Sequence, residues 1–383
     1  MDLLPSGDMR VLHTSDWHLG RTFHRESLLG AQAAFVDHLL ETVRAERVDV
    51  VAVSGDLYDR ALPPVDAVAL CDEALRRLAA ERVHVVIISG NHDSARRLGF
   101  GTDLVSAAGV HLRTDPDRAW EPVPAGGAFF YGIPYLEPEL VRGPWELAER
   151  SHTAAIGHAM ARVRADAATR DGPSVVLAHA FVTGGEASDS ERDISVGGVA
   201  GVPIGVFDGI DYVALGHLHG RQRMSDTVRY SGSPIAYSFS EAGHVKGSWL
   251  VDLGPGGVAG AEFVPAPVPR PVARLRGRLD DLLTADRHTA HEDHWLQVTL
   301  TDPIRPKAAM ERLRQRFPHT LALSFEPEGG RPSVGHPLDP VGRPDIDVAL
   351  DFVRDVRGEP ADQDEMRLLE RALESCRIKE AMA

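Results

Sequence analysis

Cysteine is almost missing from these 383 residues. Cys71 and Cys376 are the only two and stand far apart, too few for a disulfide framework, so a reducing cytoplasm is the expected compartment. Lysine is nearly as scarce. Lys246, Lys307 and Lys379 are the full set, which leaves arginine as the basic residue and hints at a GC-rich genome. Positive charge is short overall, with 41 Lys plus Arg against 56 Asp plus Glu and a formal net charge of -15. Domains that hold a duplex nucleic acid unaided usually carry a basic face, so this balance argues against tight autonomous binding of a polyanion. No apolar run approaches the roughly 20 residues of a membrane-spanning helix, so no membrane partner is expected. Residues Met1 to Asp8 show neither the basic segment nor the hydrophobic stretch of a signal peptide. Met9 is a candidate start, which leaves residues 1–8 as an expected disordered extension. A G-x-x-x-x-G-K-S/T phosphate loop is also missing, so no ATP site is expected in this chain.

What the chain does have is a set of apolar runs, each reading as a buried strand and each ending in metal-ligand side chains. Val11 to Ser15 ends in Asp16-Trp17-His18, and Asp49 to Ser54 ends in Gly55-Asp56. Val83 to Ser89 ends in Gly90-Asn91-His92-Asp93. Farther on, Ser174 to Ala178 delivers His179, and Tyr212 to Leu215 delivers Gly216-His217-Leu218-His219. Strands side by side bring their carboxyl ends together, where open α/β sheets place their ligands. The candidate metal ligands Asp16, His18, Asp56, Asn91, His179, His217 and His219 would meet there, enough for two ions.

The donor types carry their own argument. Carboxylate, amide and imidazole make a mixed oxygen and nitrogen shell without thiolate, which suits manganese, iron or zinc and disfavours calcium or an iron–sulfur cluster. Two such ions a few Å apart can share a hydroxide, bind a scissile phosphate and stabilise both the attacking and the leaving oxygen. Gly55, Gly90 and Gly216 allow tight turns directly before the ligands, where a Cβ would obstruct the strand exit.

In order, these blocks read D-x-H, G-D, G-N-H-D, a lone H, and G-H-x-H. The pattern resembles the calcineurin-like metallophosphoesterase superfamily. By that resemblance Asp16, His18, Asp56 and His219 would hold one metal, and Asp56, Asn91, His179 and His217 the other, with Asp56 bridging. His92 would be the free catalytic histidine, stabilising the transferring phosphoryl group or protonating the leaving oxygen, and Asp93 would orient it. Wider stretches narrow the likeness. Thr14 to Gly20, Ser54 to Asp59, Ser89 to Ser94 and Ala214 to His219 resemble the SbcD family of DNA nucleases. So do the segment Arg229-Tyr-Ser-Gly-Ser-Pro-Ile-Ala-Tyr-Ser-Phe-Ser-Glu241, which carries no metal ligand, and the loop Gly184 to Ile194. Ala178 stands where the family often has glycine before the lone histidine.

The resemblance implies a manganese-dependent DNA nuclease using a two-metal-activated hydroxide. Its expected activities are 3'-5' double-strand exonuclease and single-strand or hairpin endonuclease, in DNA repair and recombination. It further implies a homodimer and a partner, the coiled-coil ATPase SbcC, in which ATP is used. Arg21, Arg25, Arg60, Arg96 and Arg97 lie near the metal loops and are candidate DNA contacts, though each also reads as an ordinary solvated or salt-bridged surface residue. Two divalent ions would offset roughly four of the negative charges locally. A phosphoesterase acting on cyclic nucleotides or phosphoproteins has the same metal pattern and stays open, as does a non-catalytic scaffold on the same fold.

Helical patterns over Gln32 to Glu46 and Val65 to Glu81 alternate with the first strands. Such β-α-β units predict a sheet with helices outside. In the second helix Val65, Val68, Leu75 and Leu78 form an apolar face, which reads either as sheet cover or, by the resemblance, as a dimer contact. Short strands at Val228 to Ser231, Gly247 to Leu253 and Val258 to Val264 suggest a second sheet. The expected fold class is therefore α/β: by resemblance a two-sheet β-sandwich flanked by helices over residues 9–265, with a small α/β capping domain and C-terminal helices. Pro265 to Pro271 is a stiff linker, and strands at Val272 to Arg278, Trp295 to Thr301 and Thr320 to Phe325 with a helix at Lys307 to Arg316 make the capping domain of residues 270–330. His288, His291 and His294 inside it are spaced like a metal cluster but read as a solvated loop. After the proline-rich Pro332 to Pro344, residues 345–383 read as a helical pair with apolar stripes. It is a candidate SbcC-binding segment that packs equally well on its own cap.

Overall fold

The computed structural model describes residues 9–194, 201–328 and 344–381. The expected extension 1–8, most of the Pro332 to Pro344 stretch and the Cys376 side chain lie outside the described residues. Two six-stranded sheets carry the site. One runs in the order 257–265, 247–254, 9–14, 50–54, 84–88, 110–113, and the other 222–223, 228–230, 212–216, 174–179, 128–133, 123–125. The inner pairings of both are parallel, so the strands that end in candidate ligands leave each sheet at the same edge.

Alternation along the strands explains their apolar continuity. Val50, Ala52, Val86, Val175, Leu177 and Ala214 point into a core shared by both sheets. Val51 and Val53 face the other way, under helices Leu29–Glu46 and Val65–Ala80, while Val176 and Ala178 meet Ile156 and Ala159 of helix His152–Ala167. Strands covered on both faces have no polar side to show, hence runs without alternation. The fold is the α/β sandwich with outer helices that the sequence led us to expect.

One local expectation is corrected. Of the short strands expected in the second sheet, only Val228–Tyr230 lies there. The hairpin Gly247–Gly254 and Gly257–Pro265 instead joins the first sheet, where it pairs antiparallel along Met9–Thr14 and satisfies an edge that no crossover strand covers. Helix Val65–Ala80 buries Ala67, Cys71, Ala74 and Leu78. Those small side chains let the helix approach the sheet closely. Of the face read either as sheet cover or as a dimer contact, Leu78 is buried and Leu75 packs on the core, while Val65 and Val68 are 82% and 44% exposed.

The chain divides into two compact units. The first comprises Met1–Leu275, Ala285–Val298 and Met310–Leu323, and the second Arg276–Thr284, Thr299–Ala309 and Ser324–Ala383. Residues expected in the capping domain are thus shared between both. In the first unit Trp295, Leu321 and Ala322 pack on an apolar cluster of Phe23, Leu28, Tyr237 and Phe239. The second unit contains helices Asp345–Arg357 and Gln363–Ala381, where Arg357 grips the Glu365 carboxylate through two nitrogens at 2.6 and 2.9 Å. Among the described residues no helix is long and apolar enough to cross a membrane.

Candidate metal centre

Backbone strain marks the strand exits. Asp16, His18, Asp56 and His217 all adopt positive φ, at 54°, 44°, 50° and 105°. Non-glycine residues in that region cost about 1–3 kcal/mol each and persist where surrounding structure imposes them. Each of these four is a predicted ligand. The glycines beside them permit close approach: a Cβ on Gly55 would lie 2.4 Å from His179 Nδ1, and one on Gly216 would lie 1.9 Å from the Ser54 carbonyl oxygen.

The seven predicted ligands converge and, Asn91 apart, are buried. His18 Nε2 and His219 Nε2 stand 3.1 Å apart, and Asp16 joins them within one ligand-sized cluster. On the other side Asn91 Oδ1 lies 2.9 Å from His179 Nε2 and 3.2 Å from His217 Nδ1. Asp56 Oδ2 sits between, 3.6 Å from both His18 Nε2 and His179 Nε2. Its other oxygen accepts the His92 amide at 2.9 Å, so Oδ2 is the one turned to both sides.

Further residues, not singled out from the sequence, hold these donors. Gln32 is buried in helix Leu29–Glu46 and donates to the carbonyls of His18 at 2.7 Å and Trp17 at 3.2 Å, pinning the first loop. The Ser54 carbonyl accepts from His179 Nδ1 at 2.9 Å, which directs Nε2 inward. Asp16 is held by the Ser15 hydroxyl at 2.6 Å and the His217 amide at 3.1 Å. The His219 amide donates to Glu191 at 2.7 Å. A glutamine in a helix or an acid in a loop has no local signature for such roles. Only the fold brings them in.

His92 lies beside the donors, with Nε2 3.9 Å from Asp56 Oδ2. The structure corrects the expected role of Asp93. Its carboxylate accepts the amides of Gly90, Leu57 and Tyr58 at 2.9, 3.1 and 2.9 Å, tying the second and third loops together. The group on His92 Nδ1 is the Asp59 carbonyl oxygen, at 2.7 Å. A carbonyl only accepts, so Nδ1 carries the hydrogen and Nε2 is left facing the site. Of the five arginines, Arg21 alone adjoins the centre, 3.6 Å from Asp59 and over the Tyr237 ring at 4.9 Å. Arg97 is exposed and braces the Ala61 carbonyl at 3.0 Å, and Arg25, Arg60 and Arg96 are exposed. The solvated-loop reading of His288, His291 and His294 is corrected: they lie in and after a 3-10 turn over Asp286–His291, His288 is buried, the other two are half-buried, and neighbouring rings pack at 6.5 and 5.2 Å, though the three are not among the metal-sized clusters of the described residues.

The electrostatics fit divalent cations. Burial, and then the neighbouring Asp56 charge, push the Asp16 carboxyl well above the usual range. Burial pushes Asp93 up to about 7, again with Asp56 adding to it. Burial, and then adjacent imidazoles, hold His18 and His217 well below the ordinary histidine value, so both rings are neutral with lone pairs available. Two buried carboxylates that repel each other, ringed by inward lone pairs, form a site that a cation stabilises and a proton serves poorly. His18 Nδ1 is buried and makes no hydrogen bond among the described residues, and the Asp59 carboxylate stands 4.0 Å from it.

A sandwich that gathers aspartate, asparagine and histidine donors at one edge, around a shared carboxylate, defines a metal-dependent phosphoester hydrolase. The chain belongs to the calcineurin-like phosphoesterase family, whose model matches residues 9–221. A second model, SbcD_C, described as the type 5 capsule protein repressor C-terminal domain, matches residues 268–337. Among solved structures the chain is similar to TT1561 of Thermus thermophilus, at 14% identity and a TM-score of 0.40, covering 68% of this chain and 99% of that one. It is also similar to a dimetal phosphatase of Danio rerio, at 15% identity and a TM-score of 0.38, covering 68% and 99%. The calcineurin-like phosphoesterase YfkN of Bacillus subtilis matches at 13% identity and a TM-score of 0.36, covering 68% and 90%.

Proposed function

We propose that this chain is the nuclease subunit of an SbcC–SbcD-type complex. It would act in the cytoplasm as a manganese-dependent 3'-5' double-strand exonuclease and single-strand or hairpin endonuclease. The observation that carries the phosphodiesterase reading is the placement of His92 Nε2, which makes no hydrogen bond among the described residues and lies 3.9 Å from the shared Asp56 carboxylate. The SbcD_C match over residues 268–337 supports the assignment to DNA.

Asp16, His18 and His219 would hold one metal, Asn91, His179 and His217 the other, and Asp56 both. When bound, the pair would activate water, polarise the phosphoryl group and stabilise the attacking and leaving oxygens. Asp59 fixes the tautomer of His92, so Nε2 is the atom that holds or moves a proton at the leaving oxygen. Asp93 anchors the loops that present Asp56 and Asn91. Arg21 and Arg274 line a cavity of about 340 Å³ with Ser190 and Tyr237, where their guanidinium groups, now beside Asp59 and Asp189, would contact a phosphate. The overall charge of -15 leaves further DNA affinity to a second copy and to SbcC. Val65 and Val68, exposed on helix Val65–Ala80, are the candidate contact between copies that the resemblance implies.

The test is a linear duplex and an end-labelled hairpin with manganese, with and without SbcC and ATP. Stimulation by SbcC and ATP supports the reading, and equal cleavage in every condition removes SbcC as the partner.

A further inference from the structure

Behind His219 lies a buried charge pair outside the donor set. Glu241 and Lys246 are 1% and 5% exposed and joined to each other. Burying an ion costs several kcal/mol, so the pair is by itself weak evidence of a stabilising role. Lys246 Nζ also donates to the His219 carbonyl at 2.8 Å and to Ser233 Oγ at 2.9 Å. Glu241 Oε1 lies 2.6 Å from Ser190 Oγ, and the same Oγ lies 2.6 Å from His219 Nδ1.

The direction of these two bonds is forced. A carboxylate facing an ammonium is ionised and only accepts, so the Ser190 hydroxyl gives its one hydrogen to Glu241. Its oxygen must then accept from His219, which places the ring hydrogen on Nδ1 and leaves the lone pair on Nε2, the nitrogen 3.1 Å from His18 Nε2. His18 has no comparable partner among the described residues, since its buried Nδ1 makes no hydrogen bond and the Asp59 carboxylate stands 4.0 Å away. One half of the centre therefore relies on His219 for a preset tautomer.

We infer that Glu241, Lys246 and Ser190 are positioning residues that fix His219 as an Nε2 donor, and so set metal affinity at the Asp16–His18–His219 half of the centre. The inference rests on the metal-centre reading and does not depend on what the substrate is. It joins the loop that carries Ser190 and the segment that ends in Glu241 in one purpose, although neither contributes a ligand.

The test is manganese titration of the full chain by calorimetry, with bound metal counted by elemental analysis and the pair followed by electron paramagnetic resonance. Ser190 is partly exposed on its loop, so Ser190→Ala leaves the core intact. It should weaken one of two binding steps about 10- to 100-fold, the usual range for a partner behind a ligand. The other step should hold, and the spin-coupled signal should give way to that of a single ion. Ser190→Thr keeps the hydroxyl and should restore both steps. Glu241→Gln turns an amide donor toward Ser190, reverses the chain and should weaken the same step further. Two unchanged steps in Ser190→Ala, or equal weakening of both, would overturn the inference. A wild-type chain that binds no manganese would overturn the metal-centre reading instead.

Discussion

Adding one methyl group at Gly90 should dismantle the centre without removing a ligand. A Cβ there would lie 2.1 Å from Asp56 Oδ1, 2.4 Å from the Asp56 backbone nitrogen and 2.7 Å from its Cγ. The nearest approach is more than 1 Å short of ordinary contact, and one of the three atoms is main chain, so rotating the aspartate cannot relieve it. Overpacking of this kind costs about 1–3 kcal/mol. The same push breaks the 2.9 Å bond from the His92 amide to Oδ1 and moves Oδ2 from its position 3.6 Å from His18 and His179. A displacement of about 1 Å in a reacting constellation is worth on the order of 100-fold in rate. Gly90→Ala should therefore melt a few degrees lower, bind fewer than two metals per chain and lose about 100-fold in hydrolysis of any phosphodiester. Gly30→Ala, in helix Leu29–Glu46 with nothing within 4 Å, is the control and should gain up to about 1 kcal/mol. Melting curves with elemental analysis decide the matter: wild-type melting and two metals in Gly90→Ala would refute the packing argument.

Three further outcomes are expected. His92→Ala should keep both metals and lose cleavage by about 100-fold or more, whereas Asp56→Ala should lose the bridged pair; equal metal loss in both would remove the catalytic assignment of His92. Protons should compete with metal at the buried acids. The Asp93 carboxyl is raised from 3.8 to about 7, and Asp16 is raised well above 3.8, so the metal-free fold loses stability as pH climbs from about 4 to 7, while the unfolded chain is already ionised. Manganese relieves that repulsion, so its melting-temperature gain should grow between pH 5 and pH 7, and a gain that shrinks would contradict the reading. Finally, Val65→Asp with Val68→Asp should shift a dimer to monomer by light scattering without a change in melting, since both side chains already face solvent.

The donors were legible because each follows a run long and apolar enough to be a two-sided strand, and parallel strands need no further information to bring such ends together. Other features depend on contacts between segments far apart in sequence. The hairpin 247–265 could join either sheet by its own pattern, and only the open edge of strand Met9–Thr14 decides it. The packed face of helix Val65–Ala80 is only partly visible in the pattern, through Leu75 and Leu78, because Ala67, Cys71 and Ala74 score weakly as apolar although close packing on a sheet favours them. The resemblance implied Asp93 as the partner of His92, while the group on its Nδ1 is a main-chain carbonyl, which no side-chain pattern can announce. Glu241 ended a segment singled out from the sequence as free of ligands, and its relation to His219 emerges only when Ser190 stands between them.

The most direct test is hydrolysis by the purified chain with manganese of an end-labelled linear duplex and hairpin alongside a small phosphodiester, with chelated and His92→Ala controls. Cleavage of DNA that needs manganese and is lost in His92→Ala is the expected result. Turnover of the small ester with both DNAs intact, in the presence of SbcC and ATP as well as without them, would contradict it.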